Sequence, residues 1–114
     1  MNFEELDEYG KDIKKLLKRY RTLEADIAIV KQVLTADPKE RAPFSFRVNG
    51  LGIKTCIIKI KKIACRAMKG KGINTGFRLI YAHFEKENRI VMVELYYKGD
   101  KENEDKERIL KYFE

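Results

Sequence analysis

Apolar residues recur at Leu6, Tyr9, Ile13, Leu16, Leu17 and Tyr20, three or four positions apart, with Lys11, Lys14, Lys15 and Lys18 between them. That period predicts an amphipathic helix over 4–20. Thr22 is a suitable N-cap for a second helix, with Glu24 and Asp26 in its first turns and a stripe of Leu23, Ile27, Val30 and Leu34. Asp37-Pro38 stops it, because the residue before a proline avoids the helical region. Only a residue or two separates the two helices, which predicts a helical hairpin. Met1–Phe3 reads as a short leading strand.

Beyond the hairpin the period changes. Residues 43–52 are loop-like, with Asn49-Gly50 and Gly52 as turn signals and Phe44, Phe46 and Val48 as a short extended segment. Residues 53–64 interleave Ile with Lys and read as a strand, placing Lys59 and Lys61 on one face and Ile58 and Ile60 on the other. A basic, glycine-containing connection, 65–75, leads into two strands, 76–84 and 89–97, joined by Glu85-Lys86-Glu87-Asn88 as an antiparallel hairpin. The tail, 101–113, reads as a third helix. The order (β)ααβββα predicts one α+β domain spanning 1–114. Its sheet is antiparallel, or mixed if the leading strand joins, with helices mainly on one face.

Charge divides this chain more sharply than hydropathy does. The net charge is +7, yet residues 1–40 (8 bases, 9 acids) and 85–114 (7 bases, 9 acids) are slightly acidic. Between Arg41 and Phe84 stand ten bases and no acid: Arg41, Arg47, Lys54, Lys59, Lys61, Lys62, Arg66, Lys69, Lys71 and Arg78. Such segregation costs self-repulsion that a polyanion relieves, and nucleic acid is the leading partner. No apolar run approaches the ~18 residues of a membrane span, and Met1–Glu8 lacks a secretory signal, so the cytoplasm is the expected location.

The chemistry that remains is cationic. Two cysteines, Cys56 and Cys65, and one histidine, His83, give no metal constellation, and no cofactor is expected. The thiols read as buried and inert, and His83 as a surface or rim residue. Gly70-Lys71-Gly72 lacks the following Ser or Thr of a P-loop. If the three main strands are adjacent, Lys59, Lys61 and Arg78 converge on one face, Lys98 and Lys101 follow the last strand, and Lys69 and Lys71 lie close by. That is a phosphate site. Crowding among cations would lower a lysine's pKa and make it a general base.

At this point the residues resemble a known family. Gly76-Phe77-Arg78-Leu79-Ile80-Tyr81 is similar to the G-[YF]-R-[LV]-[IV]-Y strand of the RelE/ParE toxin superfamily. Lys59-Ile60-Lys61 resembles the strand before it, and Val91 to Lys98 with Asp100-Lys101-Glu102-Asn103 resembles the family's last strand and the run after it. Lys11 to Leu16 with Lys18-Arg19-Tyr20 is also typical, so the likeness runs over nearly the whole chain in order. It implies a RelE-like fold and a type II toxin: a metal-free endoribonuclease that cuts mRNA on the ribosome by 2′-OH attack and is held inactive by an antitoxin. It also implies that Arg78 grips phosphate, that Lys59 or Lys61 supplies the base, and that Lys98 and Lys101 belong to the site. Lys54, Arg66, Lys69 and Lys71 are then RNA-binding positions. The family's C-terminal tyrosine has no clear counterpart, with Tyr96, Tyr97 and Tyr112 as alternatives, so the acid and base stay open. A ParE-like gyrase inhibitor and an inactive RNA- or ribosome-binding domain are the other readings.

Overall fold

The computed structural model describes all residues from Met1 to Glu114. The elements are β1 (Asn2–Glu5), α1 (Asp7–Leu17), α2 (Leu23–Ala36), β2 (Ser45–Arg47), β3 (Cys56–Ile60), β4 (Phe77–Phe84), β5 (Arg89–Tyr97) and α3 (Lys106–Phe113). One mixed sheet runs β1-β5-β4-β3-β2, with β1 parallel to β5 and all other pairs antiparallel. The leading strand therefore joins the sheet. It also shortens α1, because residues 2–5 are committed to pairing with 89–92 and helix begins only at Asp7.

Alternation along the central strands sorts their side chains onto two cores. Ile58, Ile60, Phe77, Leu79, Tyr81, Ile90, Met92 and Leu95 face the α1–α2 hairpin, where Tyr9, Leu16, Leu23, Ile27 and Leu34 meet them. Ile57, Ile80, Ala82, Val91, Val93 and Tyr96 face the other way and are covered by Ile109 and Phe113 of α3 and by Val48, Leu51 and Ile53. Thus the helical hairpin takes one face as expected, while the third helix crosses to the opposite one. Arg108 fixes it there, donating to both carboxylate oxygens of Asp12 on α1 at 2.7 and 3.3 Å and to the Val93 carbonyl at 2.9 Å.

Several local expectations shift for physical reasons. Thr22 precedes α2 but does not cap it. Its hydroxyl donates to Asp26 at 2.8 Å and accepts from the Ala67 amide at 2.9 Å, pinning the 65–75 connection to the helix start. The third helix starts at Lys106, capped by the Asp105 carboxylate, because 101–105 is held across the sheet by side-chain contacts described below. His83 is buried rather than at the rim, since β4 has a neighbouring strand on each side. Cys65 is buried; Cys56 is half-buried, and burial pushes its thiol pKa up.

Candidate functional site

The sheet face under α3 gathers the charged side chains, and a β-bulge explains how. The pairing of β4 with β5 slips between Ile80, opposite Glu94, and Tyr81, opposite Met92, so Val93 is an extra residue. An extra residue inverts the alternation beyond it. Ile90 and Met92 face the hairpin before the bulge and Leu95 does so after it. Glu94 and Tyr96 are thereby delivered to the face that carries Lys59, Arg78 and Ile80. Arg78 is the cross-strand partner of Tyr96, Ile80 of Glu94, and Lys59 of Ile80.

Tyr96 stands at the centre of the cluster. It is only 5% exposed, and its hydroxyl is buried without a hydrogen-bond partner. The ammonium groups of Lys59 and Lys101 lie 6.0 and 5.4 Å from its ring centroid, close enough for attraction to the π-face. Lys59 Nζ also donates to Glu104 Oε2 at 3.1 Å, with side chains 13% and 10% exposed. Lys101 pairs with the buried Glu94, whose other oxygen accepts from the Asp105 amide at 2.8 Å. These two contacts hold 101–105 across the sheet.

Burial raises the pKa of the Tyr96 phenol, against the pull of the nearby Lys59 charge. Lys59 behaves opposite to the crowding argument. Burial opposes its charge, but Tyr96 and Glu104 outweigh burial and leave its pKa above the ordinary lysine value. Glu104 mirrors it: burial opposes ionisation, yet backbone hydrogen bonding and Lys59 hold its carboxyl below the ordinary value. Lys59 is therefore a fixed positive charge and a poor proton acceptor at neutral pH. The carboxylates that reverse the expectation were hard to foresee. Glu94 offered one signal, a lone charge inside the apolar run 90–97; Glu104 stands among other acids and offered none.

The remaining site positions divide into near and far. Lys61 lies on the same face, its ammonium 4.9 Å from the Phe46 ring centroid, and its carbonyl accepts from Arg78 Nη1 at 3.0 Å. Arg78 Nη1 also reaches the Phe77 carbonyl at 3.2 Å, and neither Arg78 nor Lys61 has an ion-pair partner. Lys98 is exposed beside them, its amide bonded to the Gly76 carbonyl at 2.8 Å. Gly76 has φ +91°, and a Cβ there would meet the Tyr97 ring at 3.0 Å, so the motif's glycine fits both backbone and space. Lys54 lies outside the cluster, exposed in the turn before β3. Arg66 also lies outside it, on the hairpin side, its amide held by Asp26 of α2 at 3.3 Å. Lys69 and Lys71 are exposed on the same connection. A concavity of about 820 Å³ lies along α1 and α2 and contains none of these residues.

No protein-family model matches this sequence, and no curated protein matches it. A solved structure does match the fold. A chain in the crystal structure of the archaeal RelE–RelB complex from Pyrococcus horikoshii OT3 superposes with a TM-score of 0.56 at 17% identity, over 86% of this chain and 94% of that one. The fold is RelE-like. At this identity the likeness concerns the fold alone, and function rests on the site. No helix is long and apolar enough to cross a membrane.

Proposed function

We propose that this protein is the toxin of a toxin–antitoxin pair and an endoribonuclease that cleaves mRNA on the ribosome without a metal. The observation that carries this reading is that Lys59 and Lys101 approach the ring of Tyr96, whose hydroxyl is buried and unpartnered, with Arg78 as its cross-strand neighbour. The match to a chain from a RelE–RelB complex supports the toxin class and a protein antitoxin as partner.

In this reading Arg78 grips a phosphate oxygen with guanidinium nitrogens that no carboxylate occupies. Lys59 and Lys101 stabilise the added negative charge as the phosphorus becomes five-coordinate, with Lys61 and Lys98 holding the flanking backbone. The 2′-oxygen loses its proton to a base and bonds to phosphorus, while the 5′-oxygen departs and takes a proton from an acid. Because Lys59 stays protonated, the base in this reading is Glu104, whose carboxylate is ionised at neutral pH and bonded through one oxygen to Lys59. In this reading the Tyr96 phenol, whose pKa burial raises, is the acid.

Induction of the wild type and of Arg78→Ala in cells tests the reading. Growth arrest with cut transcripts is expected from the wild type and neither from the variant. Arrest with intact mRNA overturns the nuclease reading, and accompanying double-strand DNA breaks would indicate gyrase as target. Co-sedimentation with ribosomes without arrest would indicate an inactive binding domain.

A further inference from the structure

Two buried hydroxyls in this molecule make no hydrogen bond, and only that of Tyr96 belongs to the site described above. The other is on Tyr9 of α1, which is 1% exposed and packed in the hairpin-side core. A buried hydroxyl without a partner costs stability. Phenylalanine would pack there without that cost, which points to a partner outside the chain. Burial and the charges of Glu5, Asp12 and Glu24 raise the Tyr9 pKa, so the hydroxyl stays protonated among carboxylates. Of these, Asp12 is already bonded to Arg108.

Tyr9 lines the concavity of about 820 Å³ along α1 and α2. Ile13, Leu17 and Ile27 supply its apolar lining. Glu5, Asp7 and Glu24 bring three carboxylates to it and Lys11, Lys14 and Lys31 three ammonium groups, and none of the six belongs to an ion pair. A ligand of one sign would meet three like charges here. A ligand carrying both signs is complementary to the whole wall.

Gly10 points the same way. It stands at the fourth position of α1, where glycine weakens a helix. Its φ is not positive, so the backbone does not require glycine. A Cβ there would meet only Glu5 Oε1, at 3.8 Å, so close packing does not require it either. What the missing side chain leaves is room, on the wall of the concavity.

We propose that this concavity binds a small zwitterion with an apolar side chain, of the class of the free apolar amino acids. Glu5 and Glu24 hold its ammonium group, which also donates to the Tyr9 hydroxyl. Lys11 and Lys14 hold its carboxylate, and its side chain lies along Ile13, Leu17 and Ile27 beside Gly10. The site is on the opposite side of the sheet from Tyr96 and owes nothing to the function proposed above.

The full chain is titrated in turn with L-leucine, L-methionine and L-phenylalanine while amide NMR shifts are read. At least one is expected to give saturable shifts centred on Tyr9, Gly10, Ile13 and Ile27. Its decarboxylated amine and its deaminated acid, each lacking one charge, are expected to bind about tenfold or more weakly. Tyr9→Phe and Gly10→Ala are expected to hold or raise the urea midpoint, since one removes the orphaned hydroxyl and the other strengthens the helix. Each is nonetheless expected to lose about tenfold or more in affinity. Arg78→Ala should leave binding unchanged. No saturable shift from any of the three, shifts centred elsewhere, or equal binding of either singly charged analogue overturns the proposal. So does unchanged affinity in either α1 variant, or a lowered midpoint in Tyr9→Phe, which would show that the hydroxyl has its partner within the chain.

Discussion

At the scale of single residues, Glu104 neutralises Lys59, and under the proposed function it competes with a phosphate oxygen for that lysine. Glu104→Gln keeps the shape and removes the charge. It is expected to tighten binding of a short, non-cleavable RNA by about three- to tenfold, of the order of 1 kcal/mol. Cleavage falls in the same variant if this carboxylate takes the 2′ proton. Anisotropy titration and a cleavage assay check the two halves. The ion pair also gives stability a pH dependence of fixed sign. Because the folded-state pKa of Glu104 lies below 4.5, its contribution is complete above 4.5 and is lost as pH falls through the folded value. Lys59, raised above 10.5, contributes fully below 10.5 and loses its share as pH climbs through its own folded value. The stability gap between wild type and Glu104→Gln in urea should therefore be steady near neutrality and close below about pH 4.5. A gap unchanged at pH 3 would contradict this coupling.

Among the elements, the least local is α3, whose eight residues are tied to α1 by Arg108 and Asp12, 96 positions apart and 13% and 20% exposed. Removing one partner leaves the other charge half-buried and unpaired. Arg108→Ala is thus expected to cost about 2–4 kcal/mol in urea unfolding. The double variant with Asp12→Ala should recover part of that loss; a strictly additive cycle would show that the pair does not couple α3 to α1. The two long strands of the hairpin were legible almost to the residue because alternation and a polar turn both mark them: 76–84 and 89–97 expected, 77–84 and 89–97 found. The reach of α3 was not, because the hydrogen bonds that keep 101–105 out of the helix come from Glu94 and Lys59, distant in sequence. Lys59 and Lys61 sharing a face followed from period two. The acids opposing the cations did not, because one arrives through a strand irregularity and the other through a connecting segment.

Over the whole molecule, eight of the ten cations between Arg41 and Phe84 form no ion pair; only Arg41 and Lys59 do. RNA affinity should therefore fall steeply with salt. Position should matter as well as number. Arg78→Ala and Lys61→Ala are each expected to lower the salt slope by about one unit, while Arg66→Ala, on the hairpin side, leaves it unchanged. Equal slopes for all three would indicate a diffuse cationic surface instead of a localised site. The single supernumerary residue in β5 reaches further than any of these substitutions. If the same residues ran in strict alternation, with no bulge at Val93, Tyr96 would turn into the oily interior beneath α1 and Leu95 would stand among the lysines. This chain's chemistry thus depends on a reading-frame shift written in backbone, one that no change of side chain could imitate.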